Sequence, residues 1–178
     1  WLERSVQYVD TLRANSPASY FTDVAASGYT NGYAWYEVNG GRQDYMNWFK
    51  HCREVTIELS SQKLLAESQL LNNWNYNYRS WLNLLEESLH GVRGIVKDAC
   101  TGQPMVAKIE VEGHDFDESH VFSGLPLGNY HRPIAAGTYT LIISAPGYVS
   151  RTISGISVTE NAPAVVLNID LAPAVPVA

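Results

Sequence analysis

Hydrophobic and polar positions recur along this chain with two different periods, and the change falls near Gly91. Before it, Leu2, Val6, Val9 and Leu12 stand three or four residues apart, which predicts a helix over residues 1–15 that ends at Ser16 and Pro17. A longer stripe of Leu70, Leu71, Trp74, Tyr78, Trp81, Leu82, Leu85 and Leu89 predicts an amphipathic helix of about six turns, stopped at His90 and Gly91. Two tryptophans on one stripe point to a core-facing surface. Between these helices, CREVTIELS at residues 52–60 alternates as a strand does, with Val55 and Ile57 on one face and Glu54, Thr56 and Glu58 on the other. Beyond Gly91 the runs VRGIVKDA, MVAKIEVEG, GTYTLIISAPGY and VVLNIDLA are short, alternating and cut by Gly and Pro, the pattern of a small antiparallel β-sandwich.

Some side chains on this frame have chemistry to offer. Glu58 ends the expected strand, where its carboxylate projects into a cleft or is simply solvated. Tyr36 stands 22 positions earlier in an aromatic run with Tyr33 and Trp35, and reads as packing or as a substrate contact. Gly40 and Gly41, followed by Arg42, Gln43 and Asp44, predict a turn entering a short helix, because paired glycines reach backbone conformations closed to other residues.

Composition narrows the classes. A chain of 178 residues holds one large domain or two small ones, and the patterning divides it into residues 1–90, a sandwich at 91–172 and a flexible tail at 173–178. A formal charge of −6 argues against nucleic-acid binding, which needs a basic face, but does not oppose a basic peptide. Cys52 and Cys100, far apart in sequence and expected in different domains, support no disulfide framework. No apolar run is long enough to span a bilayer, and no signal peptide opens the chain. A first residue of Trp1 rather than Met suggests an upstream portion removed or left out.

The run TNGYAWYEVNGGRQDYMNWFKHCREVTIEL resembles the C-terminal half of the zinc carboxypeptidase catalytic domain, nearest to the carboxypeptidase N/E group with its TNG..WY....GG.QD and E.T.EL signatures. The segments GVRGIVKDACTGQPMVAKIEVEG and AAGTYTLIISAPGYVSRT resemble the transthyretin-like domain that follows the peptidase in that group. The implied fold is the α/β C-terminal portion of a carboxypeptidase domain followed by an all-β transthyretin-like sandwich. The implied reaction is zinc-dependent release of a C-terminal residue, Lys or Arg, from peptide or protein C-termini. In that scheme Glu58 is the general base that takes a proton from the zinc-bound water and later passes it to the departing amine. Tyr36 closes over the substrate's C-terminal end, Gln43 lies on the floor of the specificity pocket, and Trp35, Val38 and Thr56 line it. The resemblance further implies a secreted, periplasmic or cell-surface protein, and the N-terminal part of the same catalytic domain as a partner.

The family binds Zn2+ through an HxxE pair and a later histidine, and this chain has one HxxE, at His51 and Glu54. On a strand, residues three apart point to opposite faces, and the resemblance places this segment after all three ligands. The pair is therefore set aside, so that the expected metal ligands lie upstream and the chain alone is expected to hold no stoichiometric zinc. His90, His114, His120 and His131 are expected at the surface, His114 and His120 within IEVEGHDFDESHVF, which reads as two short strands and a polar turn. A competing reading makes the chain a non-catalytic binding or structural module built from a residual peptidase fragment and a sandwich.

Overall fold

A computed structural model describes residues 2–175. Four helices, α1 (Leu2–Arg13), α2 (Gly32–Trp35), α3 (Arg42–Phe49) and α4 (Glu67–Glu87), precede eight strands. The chain separates into two compact units, Trp1–Gly41 with Val55–Ser88 and Arg42–Glu54 with Leu89–Ala178.

In the first unit α1 packs along α4. The apolar spacing seen in the sequence brings Tyr8, Val9 and Leu12 of α1 inside, with Tyr20, Phe21, Tyr29, Ile57 and Trp81 packed around them. From α4 the fully buried residues are Asn77 and Ser80, not the tryptophan stripe. The Tyr8 hydroxyl donates to Asn77 Oδ1 at 3.0 Å, the Asn77 amide donates to the Tyr20 hydroxyl at 2.8 Å, and Ser80 Oγ donates to the Tyr8 carbonyl at 2.9 Å. The expectation that the whole stripe faces a core is corrected: Leu70, Leu71, Trp74, Leu82, Leu85 and Leu89 are each more than half exposed. The cause is coverage. A 12-residue helix is about 18 Å long and can shield one side of its 21-residue neighbour, and the side it takes is the small polar seam at Asn77 and Ser80.

The strand expected over residues 52–60 is a second correction, since no regular structure forms there. Part of the alternation survives as burial, with Ile57 and Leu59 turned partly inward while Thr56 and Glu58 are exposed. No ladder forms because the described residues of this unit offer no second strand, and a strand's backbone groups need one. The Leu59 carbonyl takes a hydrogen bond from the Tyr20 hydroxyl instead, at 2.9 Å.

The second unit holds two sheets. One has β1 (Val92–Asp98) at its centre, paired with β4 (Asn129–Arg132), β7 (Val165–Val166) and β8 (Ile169–Leu171). The other runs in the order β3 (Val121–Phe122), β2 (Lys108–Val111), β5 (Gly137–Ser144), β6 (Arg151–Val158). Period-two burial sends Val92 and Val96, Ile109 and Val111, Leu141 and Ile143, Ile156 and Val158, and Ile169 and Leu171 into one core. The second sheet is antiparallel as expected. The first is mixed, because β7 and β8 pair with β1 in parallel, Val92 beside Val165 and Val96 beside Ile169. These strands follow β6 of the opposite sheet and reach β1 by a crossing between sheets, so hairpin closure does not dictate their direction. Gly94 permits the close approach at this join, for a Cβ there would stand 1.9 Å from the Leu167 carbonyl oxygen.

The paired glycines do open a helix: Gly40 takes φ +75° and α3 begins at Arg42. The segment Arg42–Glu54 folds back on itself and groups with the strands. Asn47 donates to the Glu54 carbonyl at 2.8 Å, and Arg42 pairs with the Glu54 carboxylate. His51 adopts φ +51°, a left-handed turn that lets the Cys52 amide reach the Met46 carbonyl at 3.0 Å. Cys52 and Cys100 both lie in this unit, free and exposed. At the chain's end the expected tail is tied at its start, where Pro173 bridges to Tyr148 and the Ala174 amide donates to the Gly147 carbonyl. Residues 176–178 of that tail lie outside the described residues.

Candidate functional site

Asn31 caps α2, its side chain accepting the Tyr33 amide at 3.0 Å. After one turn the chain leaves through Tyr36, whose extended backbone still donates to the Gly32 carbonyl. This short, capped turn presents two rings at its end. Trp35 and Tyr36 meet edge to face, 4.6 Å between centroids, and both are open to solvent, as is Val38. Thr56 and Glu58 are exposed on the irregular segment of the same unit. The unit thus holds Trp35, Tyr36, Val38, Thr56 and Glu58 with side chains outside its core. Gln43 falls in the other unit, half-buried in the first turn of α3.

The HxxE pair does not act as a pair. The Glu54 carboxylate is taken by the Arg42 guanidinium. His51 turns to the loop between β2 and β3 instead, where its Nδ1 lies 2.9 Å from the Glu118 carbonyl oxygen. That loop is shaped by Asp115, which accepts the Val111 amide at 2.8 Å and forms a buried ion pair with Arg132 of β4. Arg53 also reaches the loop, donating to the Ser119 carbonyl. The result gathers His51, Glu118 and His120, whose ligand-capable atoms all lie within 4.8 Å of one another. Among the described residues this is the only group of three or more such side chains.

His120 corrects the expectation of a surface histidine, since only 7% of it is exposed. Burial first, then the Lys108 charge, holds its pKa below the ordinary histidine value, so the neutral ring prevails. The sequence concealed this group because His51 stands 67 and 69 positions from Glu118 and His120, beyond any local spacing rule. Within the unit that holds Tyr36 and Glu58 the described residues form no group of three such side chains, so that unit by itself does not fit a catalytic zinc centre.

Two family models divide the chain between them. The one described as zinc carboxypeptidase matches residues 3–80, and the one described as carboxypeptidase regulatory-like domain matches residues 91–172. Carboxypeptidase D of Rattus norvegicus is 39% identical over 149 residues, covering 83% of this chain and 10% of its own length. Carboxypeptidase E of Caenorhabditis elegans is 36% identical, with coverages of 83% and 32%. The carboxypeptidase N catalytic chain of Homo sapiens is also 36% identical, with coverages of 76% and 28%. The chain therefore spans from a tenth to about a third of the length of these relatives.

Proposed function

Because the chain belongs to the zinc carboxypeptidase family, as a peptidase segment followed by a regulatory-like β-sandwich, we propose that it completes an exopeptidase site rather than forming one alone. Glu58 is the proton carrier of that site. It accepts a proton from the attacking water and returns it to the departing amine nitrogen as the last peptide bond breaks. Tyr36 holds the substrate's C-terminal end with its hydroxyl, Trp35, Val38 and Thr56 wall the pocket, and Gln43 favours Lys or Arg by accepting a hydrogen bond from a basic side chain. Zinc supplies the Lewis acid when bound, through ligands from outside these 178 residues. The substrates are peptide or protein C-termini, met in a secreted, periplasmic or cell-surface setting. No helix among the described residues is long and apolar enough to cross a membrane.

The observation that carries this reading is that the residues matching the family's working positions in the first unit are withheld from its core. Tyr36 is 53% exposed, and nothing in the packing of α1 against α4 uses it. A ring or a carboxylate left in water contributes little to folding, so a role in binding accounts for it better than a role in stability.

The reading is tested in a longer protein that joins these residues to the rest of a catalytic domain. There Glu58→Gln should lower kcat by about 10²- to 10⁴-fold while bound zinc stays at its wild-type level, because the carboxylate is not a ligand. Unchanged turnover on a peptide ending in Arg would remove Glu58 from the chemistry and leave the non-catalytic module standing.

A further inference from the structure

We propose that His51, Glu118 and His120 form a binding site for a borderline divalent cation, of the zinc type, that clips the segment after α3 to the β2–β3 loop. This site shares no residue with the proposed peptidase chemistry. It replaces the expectation, drawn from the sequence, that the chain alone holds no stoichiometric zinc.

Four observations carry the site. First, its donor set is chemically matched: two imidazoles and one carboxylate suit zinc and its neighbours, whereas calcium and magnesium prefer oxygen alone. Second, the spacing is close to what an ion requires. Ligands on a tetrahedral zinc at about 2.0–2.2 Å stand about 3.4 Å from one another, and His120 Nε2 and Glu118 Oε2 are already 3.4 Å apart. The remaining separations lie within 4.8 Å, a gap that the exposed Glu118 side chain can narrow by rotation.

Third, the histidine roles are set by their surroundings. His51 Nδ1 faces the Glu118 main-chain carbonyl at 2.9 Å. Donation from Nδ1–H to that oxygen fixes the tautomer that leaves the Nε2 lone pair free for a metal, the arrangement usual for metal-binding histidines. The two imidazoles lie with centroids 4.5 Å apart and planes tilted by 36°, and the Phe122 ring stands edge-on to both, walling one side with apolar surface.

Fourth, the frame is held in place by bonds other than the ligands' own. Asp115 and Arg132 anchor the loop, and Arg53 and His51 grip two successive carbonyls of it, those of Ser119 and Glu118. Both His51 and Glu118 keep left-handed backbones, φ +51° and +59°, conformations rare for residues with a Cβ. Three protein ligands leave a fourth position to water. An ion seated there would tie residue 51 to residues 118 and 120 and so stabilise the folded second unit by mass action.

The test uses the 178-residue chain and zinc alone. Competition against a chromogenic chelator should give one equivalent of zinc per chain, and addition of zinc should raise the melting temperature of the β-structured transition. Cobalt should give the visible ligand-field bands of a low-coordinate nitrogen and oxygen site. His120→Ala and His51→Ala should each weaken binding by about 100-fold or more, since even partners that only orient a ligand are worth about 10- to 100-fold. His131→Ala, an exposed histidine outside the group, should leave affinity unchanged. If His120→Ala fails to fold, His51→Ala and Glu118→Gln carry the same comparison, because both residues lie outside the hydrophobic core. Binding of less than one equivalent, or binding that survives the loss of His51, would overturn the site.

Discussion

At the scale of single residues, Asp98 shows how one carboxylate closes a turn. It accepts the Cys100 and Thr101 amides at 2.7 and 2.8 Å and the Tyr148 hydroxyl at 2.6 Å. The Tyr148 bond first, then the backbone bonds, holds its pKa below the usual carboxylate value. An ionised group stabilised in the fold contributes stability above its unfolded pKa and loses it as pH falls through the lower, folded value. The melting temperature of the β-structured unit should therefore fall with acid from about pH 5 downward. Asp98→Asn should lower it at neutral pH and flatten that dependence, and Tyr148→Phe should do the same to a smaller degree. Thermal melts across this range check the assignment, and an unaltered pH slope in Asp98→Asn would refute it.

At the scale of elements, the packing of α1 on α4 inverts the usual ranking of polar and apolar positions. Asn77 is fully buried and serves Tyr8, Tyr20 and the Asn73 carbonyl. Leu71 and Leu85, on the same helix, are each 67% exposed. Asn77→Ala removes the acceptor of the buried Tyr8 hydroxyl and should cost about 1–3 kcal/mol. Leu85→Lys should change stability by about 0.5 kcal/mol or less. Denaturant titration followed by helical circular dichroism on the 178-residue chain separates the two. A leucine substitution costing more than the asparagine one would mean that the stripe is covered after all.

At the scale of the molecule, the two units are unequal in what they bury. The strand unit encloses fourteen hydrophobic residues in one core, while the helical unit encloses three, Tyr8, Val9 and Leu12. Small cores seldom offset the conformational entropy of ordering a chain. Residues 89–175 alone should thus unfold in one cooperative transition, and residues 1–88 alone should show helical signal without a sharp melt. In the whole chain, amide exchange in α1 and α4 should be faster than in β1, β2 and β5. Equal protection in both units would show that the helical one has stability these contacts do not explain.

How much of this was legible in advance depended on how local the cause was. The helices at both ends of the first unit, the turn at Gly40 into α3 and the alternating strands beyond Gly91 are written in residue spacing, because side-chain direction repeats every 3.6 or two residues wherever the backbone is regular. The family likeness was legible too, since its motifs are contiguous. Three features were not. Residues 52–60 alternate like a strand, yet a strand exists only where another supplies its hydrogen bonds. The stripe of α4 is apolar, yet only a neighbour of sufficient size decides whether it is buried. His51, Glu118 and His120 carry no spacing signal, and a loop held by Asp115 and Arg132 is what gathers them. The sequence by itself determined the period of each element and the chemistry each side chain brings. Tertiary structure alone decided which faces were covered and which distant groups met, because burial and proximity belong to pairs of segments rather than to any one of them.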